Sequence, residues 1–274
     1  MYKHKLYLIE NKTALHVGSG ESNFGIIDNQ IQRDSITKYP TIHSSSLKGA
    51  LREYSTHRHS EEESKNFLDY IFGSEEQSGK VRFIDAHLLS VPMRADLNPY
   101  YHCVSPQSIT NFLEFCETFG IEIEHKEDLA KIANAKETNI VVKEGKPMIE
   151  DEEANDKGST AYNFEALEQL VGSPVAIVPN STLKEFTDDL PVIARNQLEN
   201  GESKNLFYEE VLPRKSKFFT VISEPTYLHY EDTKKLENAF DRFGSYLTDE
   251  NTIHIGANAS IGYGVCTFKE ISNA

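Results

Sequence analysis

The sequence predicts an α+β fold, and two features carry that prediction. The apolar segments run strand, helix, strand and then again strand, helix, strand, with polar insertions between them. A chain of 274 residues that is 38% hydrophobic also holds enough apolar side chain for one large core, so residues 1–274 are read as a single domain. Lys5–Glu10 alternates and carries Leu6, Leu8 and Ile9, the pattern of a first strand. Leu15–Pro40 is polar, holds Gly18, Gly20 and Gly25 and offers few apolar anchors, which predicts a long mobile connection. Ser44–Ser46 caps a helix with Leu47, Ala50, Leu51 and Tyr54 at helical spacing. Ser60 with Glu63 forms a capping-box pattern for the next helix, which Gly73 ends.

Val81, Phe83 and Leu88–Val91 read as strands, and Ser105-Pro106 opens a helix through Ile109, Phe112, Leu113 and Cys116 that stops at Gly120. Residues 126–172 are acidic and polar, helical only at Leu129–Ala135 and Phe164–Val171, and are read as an insertion outside the core. Val175–Val178 is a buried strand, and Asn200-Gly201 signals a hairpin across 191–208. After the strand Phe218–Ile222, the spacing of Leu236, Ala239, Phe240, Phe243 and Leu247 predicts an amphipathic helix, and Ile253–Ile255 and Val265–Ile271 close the chain. Stripped of its insertions, this order suits a ferredoxin-like, RRM-like core.

A net charge of −15 argues against a free-standing nucleic-acid binder, so any RNA site must be local. Carboxylates cluster at Glu61–Glu63, Glu122–Asp128 and Glu150–Asp156. Cations gather at Arg33, at Lys48, Arg52, His57, Arg58 and His59, and at Arg214, Lys215 and Lys217. That segregation fits a basic groove on an acidic body, and equally an ordinary acidic surface with scattered cations. Cys103, Cys116 and Cys266 are odd in number and widely spaced, which supports neither a disulfide framework nor a zinc knuckle. No apolar run is long enough for a membrane span and no signal-peptide core follows Met1–Lys5, so the cytoplasm is expected.

Four stretches carry a family resemblance. Leu15-His16-Val17-Gly18-Ser19-Gly20-Glu21, Gly25-Ile26-Ile27-Asp28 and Ile31-Gln32-Arg33-Asp34 lead into Ser44-Ser45-Ser46-Leu47-Lys48-Gly49-Ala50-Leu51-Arg52-Glu53. Val81-Arg82-Phe83, Asp85-Ala86 and Pro92-Met93-Arg94 follow, then Leu206-Phe207-Tyr208-Glu209-Glu210-Val211-Leu212-Pro213, and last Ile255-Gly256-Ala257-Asn258-Ala259-Ser260-Ile261-Gly262-Tyr263-Gly264. In order and spacing these resemble the RAMP-superfamily backbone subunits of CRISPR effector complexes, the type III-B (Cmr) member more than its III-A counterpart. Residues 126–172 are the least covered.

The resemblance implies a RAMP core with helical insertions and a β-hairpin thumb at 191–208. It also implies a protein that grips a guide RNA (crRNA) and cuts the paired target RNA by attack of a ribose 2′-hydroxyl on its own 3′-phosphate. A thumb that displaces one base pair in about every six would splay the backbone into the in-line geometry such attack needs. Asp28 matches the family's cleavage residue, as base or as ligand of a divalent cation, Mg2+ by expectation; the sequence leaves both roles open. His16 is placed to assist as acid, base or hydrogen-bond donor, or to organise the loop, and Glu209, or its neighbour Glu210, to position metal or RNA.

Val211 and Tyr263 depart from the aromatic residue and the Arg common in relatives, and Tyr263 is a candidate base-stacking ring. Guide contacts are expected from Arg33, from Ser45, Ser46, Lys48 and Arg52 around a helix start, and from the backbone at Gly256, Gly262 and Gly264. Asp34 is expected to pair with Arg33 or Lys38. Ser45 and Lys48 also satisfy S-x-x-K, but the S-D-N and K-T-G companions of acyl-transfer enzymes are absent, and that reading is rejected. Implied partners are further copies stacked head to tail, the large polymerase-like subunit and the small helical subunit, with no membrane. A guide-binding scaffold without cleavage and a guide-processing ribonuclease are the alternatives.

Overall fold

The computed structural model describes residues 2–20, 26–57, 61–136, 138–226, 236, 238–249 and 252–271. Gly25, Arg58, His59 and the Ser60 cap lie outside them. Strand β1 (Tyr2–Asn11) runs at the middle of a mixed sheet. It pairs antiparallel with β12 (Lys217–Pro225) on one side and β14 (Val265–Ile271) on the other, and β12 pairs with β4 (Ala86–Arg94). Between β1 and β4 come the two-residue strand β2 (Thr41–Ile42), the helices α1 (Ser44–Thr56) and α2 (Glu61–Phe72), and the two-residue strand β3 (Arg82–Phe83), and α7 (Ala239–Thr248) connects β12 to β14. The α+β class is therefore observed, with the central strands in the order β14-β1-β12-β4.

The period-two rule explains how that sheet is buried on both sides. Tyr7 and Ile9 of β1 join Phe218 and Ile222 of β12 under Leu47, Leu51, Phe67, Ile71, Phe240 and Phe243 of α1, α2 and α7. Leu6 and Leu8, with Phe219 and Val221, face the opposite way onto Ile109, Phe112 and Cys116 of α3 (Pro106–Thr118). Ser105 caps α3 with a reciprocal Ser105–Ser108 capping box. All three cysteines are free and buried, and burial pushes the thiols up, to about 11 for Cys116 and about 12 for Cys266.

Several expectations change. Leu15, Val17 and Ile31 are buried, and Leu15 bridges Leu212 while Gly18 bridges Ile31, so the described part of 15–40 is anchored to the core. His43, not a serine, is the N-cap of α1, and it makes no side-chain cap bond. Residues 126–172 also enter the core. Besides α4 (Lys126–Ala133) and α5 (Phe164–Val171), they supply β6 (Ile140–Val142), β7 (Met148–Ile149) and β8 (Glu152–Asn155). Through β9 (Val175–Ile177) and β5 (Tyr100–Val104) these strands extend the sheet from β4, with Ile140, Val141 and Val142 buried. Strands this short leave too few residues for a period to show. A further helix, α6 (Asn180–Asp188), follows β9 and buries Leu183 and Phe186.

Apart from this sheet stands a two-stranded hairpin, β10 (Val192–Glu199) and β11 (Glu202–Glu210). Its turn places Asn200 and Gly201 at φ 54° and 86°, the left-handed conformations an Asn-Gly hairpin turn supplies.

His102 on β5 gives the fold a pH dependence. It is buried with Nδ1 unpartnered among the described residues, and burial, reinforced by the Lys217 charge, pulls its pKa down to about 4. The unfolded chain, with a histidine near 6.5, then binds the proton first as pH falls. Stability is therefore lost on acidification from about pH 6.5 to 4, by up to roughly 3 kcal/mol. Melting temperature measured across that window should fall, and should fall less in His102→Gln.

Candidate nuclease site and RNA-binding cleft

The C-terminal end of β11 is where separate parts of the chain meet. The Asp28 backbone N–H donates to the Tyr208 carbonyl at 3.1 Å, and the Tyr208 N–H donates to Asp28 Oδ2 at 2.8 Å. Asp28 is exposed, and Oδ1 has no hydrogen-bond partner among the described residues. The carboxylate thus has a structural duty that its polar surroundings in the sequence did not reveal, and one oxygen left for other chemistry. His16 is buried, with Nδ1 2.7 Å from the Glu210 carbonyl, so Nδ1–H donates to it. Nε2 lies 3.6 Å from Glu209 Oε1.

Glu209 is buried, and its Oε2 accepts from Arg195 Nε at 2.6 Å and Asn258 Nδ2 at 2.8 Å. Burial pulls the Arg195 pKa down, but the hydrogen bond and charge of Glu209 outweigh it and hold the guanidinium above its ordinary value. Asp28, His16 and Glu209 are therefore assembled on the three residues Tyr208–Glu210. Among the described residues no three His, Cys, Asp or Glu side chains group as a metal site. The free Oδ1 of Asp28 instead fits the pattern of Mg2+ held by one carboxylate, with water and phosphate oxygens completing its shell.

A cleft of about 470 Å3 lies beside this corner, lined by Gly18, Ser46, Tyr54, His57, His254 and Gly256 among others. It brings together the first glycine stretch, the start of α1 and the C-terminal glycine loop. Gln32, which sequence reasoning passed over inside the motif that contains it, holds the first two together. Its amide donates to the Gly18 carbonyl and Ser46 Oγ, while its Oε1 accepts from the His43 N–H. Asp85 Oδ1 accepts from the Ser44 N–H. Ser45 is exposed and Ser46 half-buried at the first turn; Lys48 and Arg52 follow on α1 with no ion-pair partner among the described residues. Among the described residues Arg52 therefore has no surface ion pair.

Three expected RNA contacts turn inward. Arg33 donates from Nη2 to the Thr187 carbonyl at 2.8 Å and from Nη1 to that of Lys38 at 3.1 Å, and it pairs with the buried Glu210. The neighbouring Asp34 accepts from the Ile36 and Thr37 amides and the Thr37 hydroxyl, an Asx turn in place of the expected pairing with Arg33 or Lys38. Gly264 is buried at φ 73°, where a Cβ would lie 2.1 Å from the Ile255 carbonyl oxygen, so it closes the turn between β13 (Ile253–His254) and β14. One face of the half-buried Tyr263 ring is covered by Arg195, whose guanidinium carbon sits 4.6 Å from the centroid, so that face is not open for base stacking.

Gly256 and Gly262 remain exposed. At Gly256, φ 85°, a Cβ would lie 2.2 Å from the His16 carbonyl oxygen, which also accepts from the Ala257 N–H at 2.9 Å. Glycine there seats the C-terminal loop directly on the His16 segment.

The RAMP-superfamily model matches residues 8–267. The chain belongs to the RAMP superfamily. It is similar to the CRISPR system Cmr endoribonuclease Cmr4 of Pyrococcus furiosus, at 28% identity over 98% of this chain and 97% of that one. A shorter similarity, 35% identity over 33% of this chain and 30% of the other, is to the CRISPR system CMR subunit Cmr4 of Saccharolobus solfataricus. Among solved structures, its fold resembles a chain in the cryo-EM structure of type III-B Cmr-beta bound to cognate target RNA, with TM-score 0.78 and 20% identity over 98% of this chain and 97% of that one. It also resembles that of oligomeric Cmr4 from Pyrococcus furiosus, with TM-score 0.69 and 23% identity over 98% and 99% of the two chains. The expected superfamily is thereby shown, and with it a shared fold over nearly the whole RAMP chain.

Proposed function

We propose that this RAMP protein is a guide-RNA-binding backbone subunit of a type III-B CRISPR complex and the endoribonuclease that cuts the paired target. The observation that carries this reading is the assembly of Asp28, His16 and Glu209 on Tyr208–Glu210, at the root of a hairpin that leaves Leu206 54% exposed. The ferredoxin-like core is the β14-β1-β12-β4 sheet with its helices, and the hairpin is the thumb. An exposed apolar side chain on the thumb can displace a base, and the splayed ribose can then align its 2′-hydroxyl with its own phosphate.

Asp28 Oδ1 takes the 2′-hydroxyl proton. The new O–P bond closes a 2′,3′-cyclic phosphate as the P–O bond to the next nucleotide breaks, and the departing 5′-oxygen takes a proton from water to become the 5′-hydroxyl. His16 and Glu209 hold the loop that presents Asp28. Alternatively, Asp28 would hold a Mg2+ ion through that same oxygen, and the ion would supply charge neutralisation at the phosphate in place of proton transfer to Asp28. Guide backbone follows the cleft, with the first-turn amides and hydroxyls of Ser45 and Ser46, the cations Lys48 and Arg52, and the exposed Gly256 and Gly262 loop. Base pairing by the guide then sets the target sequence, in keeping with a protein site that faces backbone. Copies stacked head to tail and the other Cmr subunits complete the particle, which works in the cytoplasm.

The assembled complex should cut a labelled target RNA in Mg2+ at regular intervals of about six nucleotides, set by thumbs that each displace one pair for in-line attack. The products should carry 2′,3′-cyclic phosphate and 5′-hydroxyl ends. Cutting of the guide with no target present would instead support a guide-processing enzyme, and no cutting at all a scaffold.

A further inference from the structure

Glu209 has two oxygens, and they are held by different parts of the chain. Oε2 accepts from Arg195 on β10 and from Asn258 in the C-terminal loop, which leaves Oε1 as the atom that faces His16 Nε2. Arg195 pairs across the hairpin with Phe207, and Glu209 lies two residues further along β11, a diagonal neighbour within reach of a long side chain. The other face of the guanidinium is closed by the Tyr263 ring, and Asn258, at φ 68°, accepts the Tyr263 N–H at its carbonyl. Arg195 Nη2 is buried with no hydrogen-bond partner among the described residues. The guanidinium is oriented by its Nε bond to Glu209 and its stacking on Tyr263.

We propose that Arg195 is a positioning residue of the cleavage reaction. It fixes Glu209 so that Oε1 addresses His16, and it locks the hairpin root to the loop that carries Tyr263 and Asn258. Displacement of a base by the hairpin and alignment of the cleavage residues then occur as one rigid unit. This rests on the nuclease reading above, in which Arg195 touches neither substrate nor reacting atoms.

The test uses the assembled complex carrying Arg195→Gln, Arg195→Lys or Glu209→Gln, and the Arg195→Gln/Glu209→Gln double variant. Single-turnover cleavage at saturating target and target affinity are measured separately. Arg195→Gln should slow cleavage roughly 10- to 100-fold, the effect expected of a small misplacement, with target affinity unchanged. Arg195→Lys should recover part of the rate, because the ammonium keeps the charge beside Glu209 but not the planar fork. In the Glu209→Gln background the same Arg195 substitution should add little, since its effect runs through that carboxylate.

Wild-type cleavage by Arg195→Gln would overturn the assignment, as would an equal loss in both backgrounds or a loss matched by weaker target binding. If Asp28→Ala cuts normally, Asp28 is not the cleavage residue, and the site reading on which this proposal rests fails. Wild-type rates in Arg195→Gln beside an inactive Asp28→Ala remove Arg195 alone.

Discussion

Asp28→Asn is expected to lower single-turnover target cleavage by about 10²- to 10⁴-fold, the range lost with a positioned acid–base group. Asparagine keeps a side-chain oxygen for the Tyr208 N–H, so the loop stays tied to β11, but the amide cannot accept the 2′-hydroxyl proton. Asp28→Ala removes both functions. It should be no more active than Asp28→Asn and should lose a further 0.5–1.5 kcal/mol or so of local stability with the hydrogen bond. Guide and target binding should persist in both, because the proposed phosphate contacts lie around the cleft at Gly18, Ser46 and Gly256. Quench-flow cleavage with a parallel binding assay measures the two quantities.

Arg33→Met should destabilise the isolated protein strongly. Glu210 is 3% exposed, and Arg33 is its ion-pair partner; among the described residues the Ile31 N–H, at 3.1 Å, also donates to this carboxylate. Removing one member of a buried pair leaves an uncompensated charge and costs about 3–5 kcal/mol. For a chain of this size each kcal/mol lowers the melting temperature by roughly 2–4 °C, so a fall of about 6–20 °C is expected in thermal denaturation. The Arg33→Met/Glu210→Met double variant should recover much of it, because neither charge then remains buried. Were Arg33 instead a guide contact, melting of the RNA-free protein would be unchanged while guide affinity and its salt dependence fell.

The contrast between Arg33 and Lys48 shows which parts of the site were legible in the sequence. Both are cations inside family motifs, and both were expected on RNA. Which of them meets a buried carboxylate depends on a contact 177 residues away in sequence, and no local pattern encodes it. Asp28 and His16 were legible as residue types in a glycine-rich connection, yet their anchoring to Tyr208 and Glu210 is equally long-range. Gly264 and Gly256 look alike in sequence, and each meets a different carbonyl through positive φ. Long elements with a clear period, such as β1, α1, α3 and α7, emerged near their expected bounds. The short strands β6 to β8 did not, because two to four residues carry no readable period and their burial comes from the sheet they join.

The most direct test of the central claim, that the Tyr208–Glu210 corner activates a target 2′-hydroxyl, is cleavage of a target RNA carrying a single 2′-deoxynucleotide at one mapped cut site. This cut alone should disappear while binding and the neighbouring cuts are unchanged, because only that nucleophile is missing. A cut that persists at the deoxy position would mean that water, not the ribose, attacks the phosphate, and would contradict the role assigned to Asp28.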